Sequence, residues 1–169
     1  MTLLQIRNML EADRRGERYM GEEPAEIKIV AAYRRMGPED QAALRSVVVE
    51  GLSAALPDDP LVASGLLYLA TEIRPENALS VLSGWVDPLA LERLDAGLQR
   101  VVLCAFVELG GVRPAEFWRQ QAARLPTVLG PIAVKALHGA GEDYRAVLES
   151  LDDRTRFVAE LSVGEVQGD

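Results

Sequence analysis

Glu72 and Glu108 stand at matching places in the chain. Each is the residue just before the last apolar residue of a periodic apolar segment, and each is followed by an arginine and a proline, in EIRP and in ELGGVRP. Two carboxylates brought face to face can share a proton, because the second negative charge raises one of the two pKa values, and such a pair can serve acid–base chemistry. The same place in an earlier segment holds Arg35, and in a later one Ala136. Stacked segments would set Arg35, Glu72 and Glu108 in a row, which is either an acid–base site or a polar face turned to solvent. Arg74 and Arg113 precede the prolines and are expected on one edge, where a guanidinium suits phosphate or an acidic partner, or is simply solvated.

The other reactive side chains are sparse. His138 is the only histidine, so a two-histidine zinc site is excluded, and its place near a helix C-terminus suits a surface or capping role. Cys104 is the only cysteine, within VVLCAFV, where an apolar helix interior would raise the thiol pKa and quench it. No Walker-type loop, GxGxxG, GxSxG, HExxH or calcium loop occurs. These observations predict no catalytic residue, no metal and no cofactor. Trp85 and Trp118 fall at different offsets from their prolines, so each is either a partner-binding anchor or a core residue. Trp118 follows Phe117, and one of the two rings is expected to turn away from the core stripe.

Helical spacing dominates the elements that must carry these groups. Val62, Leu66, Leu69 and Ile73 share one stripe, and Leu94, Leu98, Val101, Ala105 and Leu109 form another. No run alternates as a strand would. The spacing predicts helices at 2–13, 24–36, 39–56, 60–73, 76–85, 88–109, 115–124, 127–138, 142–151 and 154–162. Asp58-Asp59, Glu22-Glu23 and Asp152-Asp153 border helices and are expected to cap them. Pro38, Pro75 and Pro114 recur at spacings of 37 and 39 residues, each opening a new helix with an acidic residue in its first turn.

A recurring two-helix unit of this length cannot bury its apolar stripe alone, so consecutive units must stack. Residues 24–151, with EDQAAL, PENALSVL and PAEFWRQQ as second-helix openings, resemble HEAT-type repeats. The resemblance implies an all-α fold, a short right-handed superhelix of stacked helical hairpins; an irregular helical bundle is the alternative. The whole chain reads as a single helical domain, with an N-terminal helix and charged connector at 1–23 and a short helix and loose tail at 152–169.

Composition narrows the function. The formal net charge of −8 repels nucleic acid and anionic lipid at long range and favours a partner protein with a basic surface. No apolar run reaches the roughly 20 residues of a membrane span and no signal peptide is evident, so a cytoplasmic location is expected. The expectation is a non-enzymatic protein–protein interaction module: an adaptor, a secretion chaperone or an immunity or regulatory protein. Its partner-binding residues would come from Arg35, Glu72, Arg74, Trp85, Glu108, Arg113 and Trp118. The alternative is a HEAT-like enzyme or ligand carrier with Glu72 and Glu108 in an inter-repeat groove.

Overall fold

The computed structural model describes residues 1–15, 22–55 and 59–164. They form eleven helices and, among the described residues, no strand. The first five are α1 (Leu3–Arg14), α2 (Ala25–Tyr33), α3 (Pro38–Ala55), α4 (Pro60–Ile73) and α5 (Ala78–Trp85). A short α6 (Pro88–Leu91) leads to α7 (Ala96–Glu108), α8 (Ala115–Arg124) and α9 (Pro126–Gly139). The chain continues with α10 (Arg145–Glu149) and α11 (Asp153–Val163).

The helices begin where backbone donors find acceptors. Thr2 and Gln5 form a reciprocal capping box on α1, and Asp59, Asp95 and Asp152 accept from the amides of Val62, Leu98 and Thr155. Glu22 and Glu23 do not cap α2. Glu22 pairs with Lys28, and Asp13 of α1 reaches across to accept from the Ala25 amide at 2.8 Å. Asp58 and the tail at 165–169 lie outside the described residues.

The segment predicted as one helix over 88–109 is two. Its apolar rhythm is continuous, but Asp95 takes the Leu98 amide and ends the preceding turn, separating α6 from α7. The helix predicted over 127–138 is α9, which runs through Gly130-Pro131 without interruption. The proline ring removes the amide that would bond to the Thr127 carbonyl.

Packing follows the predicted stripes. Val62, Leu66, Leu69 and Ile73 are all buried, as are Leu94, Leu98 and Ala105. In contact order, α2 touches α4, α4 touches α7, and α7 touches α9, which also carries α8 and α11. Among the described residues, Leu, Val and Ala dominate a core cluster that runs from Ile6 to Ala159. Gly65 and Gly130 let Leu10 and Leu151 approach so closely that an added Cβ would overlap them.

Candidate interaction surface

The ends of α2, α4, α7 and α9 are tied by side chains that cross from helix to helix. Arg34, and not its neighbour Arg35, donates to Glu72 at 3.4 Å. Arg35 is exposed, one register away from the expected row. Glu108 is ion-paired with Lys135 of α9, while its carbonyl oxygen accepts from Arg74 Nη2 at 3.3 Å. Glu72 and Glu108 thus hold separate cations, an arrangement that matches the polar-face alternative and not a proton-sharing pair. Both pairs are exposed and contribute little to stability individually.

Arg74 adopts a left-handed backbone, φ 46°, as the C-cap of α4, a conformation in which most non-glycine residues are strained. Its Nη2 reaches the Glu108 carbonyl while the residue stays exposed. Arg113 is engaged inward. Its Nη2 donates to the Ser83 carbonyl at 2.8 Å, and its guanidinium lies 5.7 Å from the Phe106 ring centre and 6.0 Å from that of Phe117. Its Nε is buried without an acceptor among the described atoms. Each of these arginines thus links one helical segment to another, Arg74 remaining exposed while it does so.

Trp118 is 3% exposed and belongs to the core. The expectation that one of the two adjacent rings must turn outward fails, because Phe117 and Trp118 pack edge to face at 5.0 Å and both are buried. Trp85 is half-buried against the core. His138 is exposed in the last turn of α9 and meets the Tyr144 ring edge-on at 5.4 Å.

The surface that sequence reasoning missed lies between α7, α9 and α11. A groove of about 650 Å³ runs there. Cys104 and Val107 of α7 and Val128, Pro131 and Ile132 of α9 give it an apolar floor, and Val158 of α11 forms a wall. Arg100, Glu108, Lys135, Asp152 and Arg154 stand on the rim. Cys104 is therefore half-buried at a groove and not sealed within a helix interior. Burial still pushes its thiol above the ordinary value, with Glu108 adding to the rise and Arg100 and Lys135 opposing it. The Thr155 hydroxyl and amide hold the Asp152 carboxyl below the usual carboxylate range.

Apolar surface continues past Val158. Thr155 and Ala159 are the buried side of α11, while Phe157, Val158 and Leu161 are about half exposed on another side. The clue was present in DRTRFVAEL, where Phe157, Val158, Ala159 and Leu161 put apolar residues on more than one side of a short helix. The outward side of α1 differs, with Gln5, Arg7 and Asn8 exposed beside Leu4.

Among the described residues, no three histidine, cysteine, aspartate or glutamate side chains gather as a metal site requires. No described helix is long and apolar enough to cross a membrane. No protein-family model, curated protein or solved structure matches the chain.

Proposed function

We propose that the protein is a non-enzymatic interaction module that binds a partner protein across the α7–α9–α11 groove, its hairpins stacking as a short HEAT-like solenoid. The succession of contacts from α2 through α4 and α7 to α9 supports the solenoid reading. The binding reading is carried by one observation: an apolar groove with a charged rim adjoins exposed Phe157, Val158 and Leu161 on the same helix. An apolar groove with exposed apolar side chains on the helix beside it is a common mark of an interaction site. The partner is a protein of the same compartment, with this chain acting as adaptor, chaperone or regulatory subunit.

Site-specific photo-cross-linking in the cell of origin tests this. A benzoylphenylalanine at Val158 should capture a discrete partner, and one at Ser46 on the exposed side of α3 should not. Equal or absent capture at both positions refutes the reading. A ligand carrier is the second reading, favoured by the presence of Glu108 on the groove rim, although Glu72 is not there. Native mass spectrometry showing a small molecule co-purifying in stoichiometric amount would shift the conclusion to it.

A further inference from the structure

The rim of the groove does not share the sign of the chain. The protein carries a net charge of −8, yet three of the five charged groups at the groove are cations. Both acids there are already committed. Glu108 is paired with Lys135, and Asp152 accepts from the Thr155 amide at 3.0 Å and the Thr155 hydroxyl at 2.7 Å. Arg100 and Arg154 are exposed, and no carboxylate among the described residues lies within ion-pairing distance of either. The local surplus is positive, opposite to what the whole-chain charge suggests for a partner.

The shape of the site narrows the occupant further. From Thr127 to Lys135 the groove follows α9 for about 12 Å, roughly two helical turns. Its floor is made of side chains, and no strand edge is present among the described residues to extend into a sheet. Val158 lines the groove, and Leu161 and Phe157 add exposed apolar surface on α11 outside it. A helix, about 10 Å across, covers such a surface with apolar anchors at i, i+3 or i+4, and i+7.

From this geometry we infer that the groove receives an amphipathic helix of the partner protein whose carboxylates meet Arg100 and Arg154. The inference rests on the partner-binding reading and adds the chemistry of the bound segment. Its apolar side fills the space above Cys104, Val107 and Ile132, and its acidic turn lies over the Arg100 and Arg154 guanidinium groups. Arginine favours this contact because its planar fork matches a carboxylate in two bonds.

Two labelled helical peptides test the assignment on the full chain. Both carry leucines at i, i+3, i+4 and i+7; one has glutamates in its last turn, the other lysines. Fluorescence anisotropy measures binding, and alkylation of Cys104, the sole thiol, reports occupancy of the groove itself. The glutamate peptide should bind at least about tenfold more tightly than the lysine peptide. It should slow Cys104 alkylation and weaken as salt rises. Combined Arg100→Glu and Arg154→Glu should invert the preference, whereas Val158→Asp should weaken both peptides, with thermal melts confirming that each variant is folded. Equal binding of the two peptides, or no change on charge inversion, overturns the acidic-helix proposal while leaving partner capture through Val158 intact. If neither peptide protects Cys104 but capture at Val158 succeeds, the proposal also falls; if capture fails too, the groove is not a docking surface. Protection by oleate alone assigns the site to a lipid carboxylate, and a sedimenting dimer with shielded Cys104 assigns it to a second copy. Either result overturns the proposal.

Discussion

Arg113 Nη2 donates to the Ser83 carbonyl oxygen at 2.8 Å, fastening the segment before α8 to the end of α5. The same guanidinium lies beside the Phe106 and Phe117 rings. Arg113→Ala should cost about 2 kcal/mol in chemical denaturation, from the lost charge-assisted bond and ring contacts together. Arg113→Lys should recover less than half of that, since an ammonium cannot reach the carbonyl and stack on two rings at once. A loss confined within experimental error for Arg113→Ala would show the residue to be ordinary surface charge.

A Cβ placed on Gly111 would stand 2.5 Å from the buried Phe106 ring, which has little room to retreat. Gly111→Ala should therefore destabilise by about 1–3 kcal/mol through overpacking. Gly37 has nothing within 4 Å, and Gly37→Ala should change stability by no more than about 0.5 kcal/mol. Parallel urea titrations of the two variants check the contrast.

How much of this could be read beforehand differs between elements. The spacing-derived bounds of α4 and α8 coincide with the structure, because Pro60 and Pro114 punctuate their starts and the apolar stripe is long in α4. The division between α6 and α7 was hidden, since Asp95 caps α7 with a side-chain bond and no glycine or proline lies between Leu91 and Asp95. The row through Arg35 missed by one residue, which on a helix is about a quarter turn and hands the Glu72 contact to Arg34. The groove is assembled only by the tertiary fold. Cys104, Ile132 and Val158 come from three helices, and no local spacing tells which partly buried residues will lack a covering neighbour.

The Asp152 cap should impose a pH signature. Its folded pKa is depressed, so its stabilising effect is complete above the unfolded value of roughly 3.9 and fades as pH falls through the lower folded value. The melting temperature of the parent chain should exceed that of Asp152→Ala by a constant margin at neutral pH, and the margin should narrow in acid. A margin unchanged down to acid pH would mean that the carboxylate charge does not contribute.

Alkylation of Cys104 by iodoacetamide should have its midpoint above the roughly 8.5 of a free thiol. Arg100→Ala removes a cation that lowers the pKa and should move the midpoint further up. Glu108→Gln removes an acid that raises it and should move the midpoint down. Rates measured across alkaline pH for the three proteins check both signs, and identical profiles would place the thiol away from these charges.

Arg74 and Arg113 both clasp main-chain oxygens, those of Glu108 and Ser83. A backbone carbonyl is supplied by any residue, so drift at positions 83 and 108 leaves these two joints intact. The frame of the molecule is thereby uncoupled from the identity of those outward side chains. A lineage could revise what this exterior recognises, one substitution at a time, without first having to redesign how its helices are held together.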